Sequence, residues 1–494
     1  MKKQLLNLGL LLMLGFTFTA CDKGNTSDAL GVSYISRDDW APDVKRGINQ
    51  FMRSCAHSPN AYAVFDFDNT CSIFDIEEQL EIHQLKTMAF ALTPEDFREA
   101  LATGLDTNAG RMGDWLHDVC SAYGKLYQTY GPFTAQGVEE SARKKMQQEP
   151  QWREFATKMA CMYDAVAKAK GNDFAYEWIL YWFTGMSEKE VYDLSCESCR
   201  QYGKLPTQYE TWQSPDGIPS RMGSCSHTHT LGIQVSENIR ELWKALKQNG
   251  IDVWVCSASG LQQIMAAVDC FGLHDDCTGV LGMTLTLRNG VYTPKYDLKT
   301  GHGYTAQTGG GWIADNMPTR TVTSGKGKVT AIENVLKPKY ADNGPLAGFM
   351  DASGDFNFCT EFSSLKMVVC FNRADRKPTD GGGLIAELAV YQRDTLGLDL
   401  PAANALWETF YLLQGRNENG LRSLRASNSS LTAKGEEKLF ANEQNYKQMA
   451  YFKAHNLRTS DILNHFCIKT SAEKSELGFA YGWLDAYAGY HSIN

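Results

Sequence analysis

AYAVFDFDNT, residues 61–70, decides the fold. A short apolar run alternates like a buried strand and ends in two carboxylates one residue apart, Asp66 and Asp68. Both acids leave the strand at its carboxyl end, where open α/β sheets keep their chemistry. The stretch therefore predicts an α/β fold with a parallel sheet and a site along one rim of it.

The residue types point to phosphoryl transfer. An aspartate carboxylate can attack phosphorus and form an aspartyl phosphate, which splits one hard displacement into two easier ones. Asp66 is placed to be that nucleophile. In extended backbone residues i and i+2 project to the same side, so Asp68 is placed to protonate the departing alcohol and then activate water. Two close carboxylates facing a phosphate repel it, which calls for a divalent cation. Mg²⁺ suits hard oxygen ligands.

Asp66-Phe67-Asp68-Asn69-Thr70 resembles the D-x-D-x-T motif of phosphatases in the haloacid dehalogenase superfamily. The second Asp argues against the dehalogenase branch, which has no phosphoester leaving group to protonate. The resemblance implies three further motifs. Ile251-Asp252-Val253-Trp254-Val255-Cys256-Ser257 is an apolar strand ending in Ser, behind a helix with Ser236 as N-cap, Ile239, Leu242, Trp243 and Leu246 on one face, and Gly250 past its end. Ser257 would donate to the phosphoryl oxygen, with Ser259 as the alternative. Gly325-Lys326-Gly327-Lys328 opens a helix over Val329–Leu336. Lys328 would neutralise the phosphoryl group, with Lys326 as the alternative. Gly348-Phe349-Met350-Asp351-Ala352-Ser353-Gly354-Asp355 supplies the paired acids, although Met350 stands where the family pattern has Gly. The implied metal ligands are Asp66, the Asp68 backbone carbonyl, Asp351 and Asp355, the last through water or by orienting Lys328. Thr70 would fix the loop and bind phosphate.

The expected core spans residues 36–70 and 236–372, a three-layer Rossmann-like fold, with residues 71–235 as an inserted helical cap. Helical spacing is read over Glu77–Phe90, Pro94–Gly104, Gly137–Met159 and Glu188–Gln201. An insert at this position is similar to the phosphoserine-phosphatase-like branch. The stretch Ser72-Ile73-Phe74-Asp75-Ile76-Glu77-Glu78 resembles the secreted phosphorylcholine phosphatases. That resemblance implies that Asp75 meets a cationic group of the substrate; the plainer reading is that it caps the following helix. Tyr176, Trp178, Tyr181 and Trp182 would line such a pocket by cation–π contacts or would be core packing.

Lys2 and Lys3, the apolar run from Leu5 to Phe18, and Thr19-Ala20-Cys21 read as a bacterial lipoprotein signal over residues 1–21. Cys21 would carry the lipid and residues 22–35 would form a linker, placing the protein in the bacterial cell envelope. Besides Cys21 the chain has 13 cysteines, and in an oxidising compartment pairing among them is open. Cys270 and Cys277 bracket a short loop and could pair. Cys196, Cys199, Cys225, His227 and His229 have the spacing of a structural metal site or of a disulfide beside a His pair. Cys256 and Cys370 lie in apolar strand-like runs and read as buried thiols.

A net charge of −9 over 494 residues disfavours nucleic acid as a partner. Oligomeric state is left open. After Phe371 the character changes: Gly381-Gly382-Gly383 reads as a hinge and residues 373–494 as a helical C-terminal extension, with runs over Leu384–Thr395, Ala403–Leu413 and Gln444–Ala454. Leu413 to Gly420 reads as a polar surface turn or a loop reaching the site. The expectation is a lipid-anchored, Mg²⁺-dependent phosphomonoesterase for a small phosphorylated metabolite such as phosphocholine, phosphoethanolamine or phosphoserine. The alternatives are a phosphatase or phosphotransferase for sugar or nucleotide phosphates, and a surface-displayed binding protein without turnover.

Overall fold

The computed structural model describes residues 26–27, 31–108, 111–296, 301–317, 322–372, 381–407, 409–416 and 424–425. Residues 1–25, with Cys21, and the run Gln444–Ala454 lie outside the described residues. Among the described residues no helix is long and apolar enough to cross a membrane.

Nine strands make the main sheet: β1 (Tyr62–Phe65), β2 (Asp252–Gly260), β3 (Gly279–Met283), β4 (Gly301–Ala306), β5 (Trp312–Met317), β6 (Ala347–Met350), β7 (Met367–Asn372), β8 (Phe410–Arg416) and β9 (Leu424–Arg425). Their order is β5-β4-β3-β2-β1-β6-β7-β8-β9. The six strands from β3 to β8 in that order are parallel. The flanking β4 and β9 run antiparallel to these, and β5 pairs antiparallel with β4. Phe65 is level with both Val255 and Phe349, so the chain leaves β1, β2 and β6 at one rim.

Helix α1 (Pro42–Cys55) precedes β1. Between β1 and β2 the chain carries α2 (Ile76–Thr87), α3 (Pro94–Ala102), α4 (Met112–Tyr130), α5 (Glu140–Met146), α6 (Pro150–Lys170), α7 (Asn172–Leu180) and α8 (Glu188–Tyr202). Helix α9 (Glu237–Gln248) leads into β2, α10 (Leu261–Cys270) follows it, and α11 (Lys326–Ala331), α12 (Gly381–Val390) and α13 (Leu400–Trp407) complete the set used below.

Strand residues bury both faces, the signature of a parallel sheet covered on each side. Tyr62, Val64, Trp254, Cys256, Val368, Cys370, Tyr411 and Leu413 share one apolar layer with Ile332, Leu336, Ile385 and Leu388. Ala63, Phe65, Val253, Val255, Phe349 and Leu412 face the other, against Ile48, Phe51, Leu242 and Trp243 of α1 and α9. The fold is thus three-layered α/β, as expected from the first apolar run.

Several local expectations are corrected. The run Glu77–Phe90 ends as a helix at Thr87, because Met88 turns into the left-handed region at φ 54°. Gly137–Met159 is two helices, interrupted before Pro150, which starts α6 at a position where its missing N–H is not needed. The insert is not wholly helical: Gln208–Gln213 pairs with Ser226–Leu231, and Ser72–Ile73 with Gln234–Val235. Gly381–Gly383 opens α12 and is no hinge. Ala403–Leu413 is not one helix, since α13 stops at Trp407 and the buried run from Phe410 is strand β8. A fully buried apolar run carries no helix-or-strand period of its own, which is why the helical reading of Ala403–Leu413 failed from Phe410 on. Gln414, Gly415 and Arg416, read as a loop, belong to that strand.

The insert has its own polar clamp. Asp118 of α4 accepts from Lys158 Nζ of α6 (2.8 Å), Ser220 Oγ (2.7 Å), Arg221 N (3.0 Å) and Met222 N (2.9 Å). Lys158 also reaches Glu154 at 2.7 Å. Burial alone would raise the Asp118 carboxyl, but these donors outweigh it and hold the group below the usual carboxylate range.

Candidate active site

The nucleophile position is built by the end of β1. Asp66 N donates to Phe349 O at 2.9 Å, the last rung between β1 and β6. The chain then folds back: the N–H groups of Thr70, Cys71 and Ser72 all donate to Phe67 O, at 3.3, 2.8 and 3.0 Å. Asn69 takes φ 61° at the tip. Thr70 Oγ1 donates to Asp66 Oδ2 at 3.0 Å and holds the carboxylate from behind.

Lys328, in α11, meets it from the other side. Its Nζ donates to Asp66 Oδ1 at 2.6 Å and to Asp355 Oδ1 at 2.5 Å. The loop before α11 is tied to the acid loop by Gly325 N donating to Gly354 O at 2.7 Å. Lys326 pairs instead with Glu361 and is half exposed. Asp355 Oδ2 accepts from Asp351 N (3.4 Å) and Ala352 N (3.3 Å). Oxygens of Asp66, Asp351 and Asp355 lie within 4.8 Å of one another, and all three residues are buried. Such a compact, all-carboxylate oxygen set suits a hard divalent cation. Without one, burial first and then the Asp355 and Asp351 charges raise Asp66 well above the usual carboxylate range, against the pull of Lys328. Burial works against the Lys328 ammonium, but Asp355 and Asp66 outweigh it and raise its pKa.

Asp68 points away from that triad. Its Oδ1 accepts from Ile76 N at 2.7 Å; its Oδ2 accepts from Ser259 Oγ at 2.5 Å and Ser257 Oγ at 3.5 Å. Burial, and next the Asp75 charge, raise its pKa, which favours a proton on it. Ser257 Oγ accepts from Ser259 N at 3.2 Å, and Thr323 Oγ1 donates to the Ser257 carbonyl. Both serines thus stand at the end of β2.

Asp75 is the N-cap of α2: its Oδ1 accepts from Glu77 N (2.8 Å) and Glu78 N (3.1 Å). Glu77, which the sequence did not single out, also lines the cavity, is 6% exposed, and has an Oε1 with no hydrogen-bond partner among the described residues. Burial, then the charges of Asp75 and Asp68, raise its pKa well above 4.5. The nearby Gln263 amide pulls the other way and favours the charged form.

Asp66, Asp68, Asp75, Glu77, Ser257 and Lys328 share a cavity of about 150 Å³. It adjoins a chamber of about 450 Å³, with Tyr176, Ser324, Ala352 and Gly354 lining both. Of the four aromatic residues expected at the pocket, Tyr176 lines it. Trp178, Tyr181 and Trp182 are buried in the core, with Trp178 Nε1 donating to Leu101 O at 2.9 Å.

The cysteine and histidine set is not brought together. Cys196 contacts Cys270, whose Sγ donates to Cys196 O at 3.8 Å, while Cys225 contacts Cys161. His227 faces Asp164 at 3.1 Å and His229 faces Glu210 at 3.6 Å. Cys277 Sγ faces Gly279 O at 3.6 Å, so Cys270 faces Cys196 and not Cys277. Cys256 and Cys370 are buried thiols.

No family model matches this chain, and no curated protein is similar in sequence. Among solved structures it is similar to a conserved functionally unknown protein from Anaerococcus prevotii DSM 20548, with 24% identity and TM-score 0.61 over 80% of this chain and 97% of that one. That likeness shows a shared fold. Two fainter likenesses are to a protein of unknown function from Bordetella pertussis Tohama I (12% identity, TM-score 0.31, 64% and 91% of the chains) and to cytosolic 5'-nucleotidase IIIB bound to cytidine (15%, 0.27, 67% and 78%). Neither bears on activity.

Proposed function

We propose that the protein is a Mg²⁺-dependent phosphomonoesterase of the haloacid dehalogenase superfamily, acting through an aspartyl phosphate. One observation carries the reading: Asp66 is held between Lys328 (2.6 Å) and Thr70 (3.0 Å) at the rim of the sheet, inside a buried triad with Asp351 and Asp355. When bound by that triad, Mg²⁺ would offset repulsion between its carboxylates and the phosphoryl oxygens. Asp66 attacks phosphorus. The bond from phosphorus to the ester oxygen breaks, its electron pair goes to that oxygen, and Asp68 supplies the proton. Asp68 then takes a proton from water, the hydroxide attacks phosphorus, and the bond to Asp66 breaks to give phosphate and the starting enzyme. Ser257 and Lys328 hold the phosphoryl oxygens.

For the leaving group we propose an alcohol bearing an amine, as in phosphocholine, phosphoethanolamine or phosphoserine. Asp75 is engaged in capping α2, so the acid that faces the substrate's cation is Glu77, whose Oε1 has no other partner among the described residues. The adjoining chamber of about 450 Å³ favours a second reading, a bulkier sugar or nucleotide phosphate. The lipid anchor at Cys21 and the envelope location belong to the same proposal and rest on residues 1–21.

The test is phosphate release by the chain lacking residues 1–21, over amine-bearing, sugar and nucleotide phosphates, with and without Mg²⁺ and beside Asp66→Asn. Release that needs Mg²⁺ and vanishes in the variant is expected. A folded, Mg²⁺-binding protein that releases nothing from any of these esters would favour a binding protein without turnover.

A further inference from the structure

The strand order brings a cation to the site from 347 residues away in sequence. Arg416 is the last residue of β8 and is 3% exposed. Because β8 runs parallel to β7, β6 and β1, Arg416 leaves the sheet at the same rim as Asp66. Its Nη1 donates to Asn69 O, and its Nη2 donates to Asn69 Oδ1 at 3.1 Å. Three strand spacings separate β8 from β1, roughly 14 Å. A long side chain that meets the loop part-way spans that gap.

We infer that Arg416 is a positioning residue for the catalytic loop. The inference rests on the phosphatase reading of Asp66 and Asp68. Asn69 directly follows Asp68, lines the cavity, and holds φ 61°, a left-handed conformation that Asn visits more readily than most side chains and that a neighbour's enforcement fixes in one geometry. The guanidinium fork supplies that enforcement, since its two planar donors fix a main-chain and a side-chain oxygen of one residue together. An ammonium at this place would be a point donor with no such geometry. Arg416 acts through Asn69, to which it donates twice, and the angle at which Asp68 faces the leaving oxygen follows from it.

The experiment compares Arg416→Ala, Arg416→Lys, Asn69→Gly and the double variant Arg416→Ala/Asn69→Gly in steady-state kinetics, with hydrogen exchange of the 66–72 segment measured on each. For Arg416→Ala we expect kcat to fall roughly 10- to 100-fold, the scale of a misplaced reacting group, with KM close to wild type. Arg416→Lys should recover only part of the rate, added guanidinium ion should raise the rate of Arg416→Ala, and the double variant should lose less than the product of the single losses. Exchange in 66–72 should rise in Arg416→Ala while segments of β2 and β3 keep their protection. Unchanged kcat in a folded Arg416→Ala, fully multiplicative losses, or unchanged exchange in 66–72 would each overturn the inference. If the wild type hydrolyses no ester, the phosphatase reading fails separately, and the exchange comparison alone decides whether Arg416 holds the loop. If Arg416→Ala does not fold, Arg416→Lys carries the same comparison.

Discussion

On the proposed reading, Glu77 puts stability and recognition in conflict on one carboxyl group. Its pKa in the folded chain is raised above 4.5, first by burial and then by Asp75 and Asp68. The folded chain therefore keeps a proton that the unfolded chain releases. The stability linked to this group is fully present below its unfolded value and is lost as pH rises through the folded value. Glu77→Gln removes that loss. We expect its melting temperature, relative to wild type, to be higher at pH 8 than at pH 5; a gap that stays constant or narrows would refute the assignment. The same variant should lose roughly 10- to 100-fold in kcat/KM for amine-bearing phosphates, the worth of a charge-assisted hydrogen bond, while esters without a cation change little. At this scale the sequence was legible where the chemistry is written in spacing. Asp66 and Asp68 share a strand end, and Asp351 and Asp355 share one turn, so a local pattern exposes them. Arg416 has no such pattern: nothing near it in the chain says that a parallel strand will aim it at Asn69. Glu77 lay within view, but Asp75 and Glu77 both line the cavity, and which of the two is tied up in capping α2 depends on hydrogen bonds that sequence does not encode separately.

Among elements, α4 and α6 are held to the segment around Ser220 by a buried ion pair whose partners are otherwise satisfied. Asp118 takes four donors, and Lys158 keeps Glu154 as a second acid. Removing one member of such a set leaves a buried ammonium short of charge and two N–H groups without acceptors. For Asp118→Ala we expect a loss of about 3 kcal/mol, the lower end for breaking a buried pair, because Glu154 remains. Asp118→Asn should cost less, since an amide oxygen can still accept from Arg221 N or Met222 N. Denaturant midpoints of the two variants check the order, and equal losses would mean that the charge matters and the bonds from the backbone donors do not. The helices of the insert were legible from apolar spacing, while their ends were not. Pro150 and the left-handed Met88 set two of those ends, by a missing N–H and by backbone sterics that periodicity does not carry.

Across the whole molecule, the described strand Phe410–Arg416, which follows residue 372, is part of the sheet. Six residue pairs from Met367–Phe410 to Asn372–Gly415 join β7 and β8, and β8 fills both layers at once. Phe410 and Leu412 pack toward α1, while Tyr411 and Leu413 pack with Ile385 and Leu388 of α12. The approach to α1 is close enough that a Cβ on Gly47 would lie 2.7 Å from Leu412 Cδ1. A chain ending at Asn372 would expose the backbone edge of β7 and the apolar side chains of α1 that β8 covers. Uncovered edges of that kind pair with other chains. We expect residues 22–372 to aggregate on expression, whereas a chain lacking only residues 1–21 stays in solution. The distinction from a mere loss of stability is made by Arg416→Ala, which keeps β8 in place. It should remain soluble and slow, whereas the truncation should not yield folded protein. A soluble, active 22–372 fragment would show instead that β8 is dispensable and that the catalytic loop needs nothing from it.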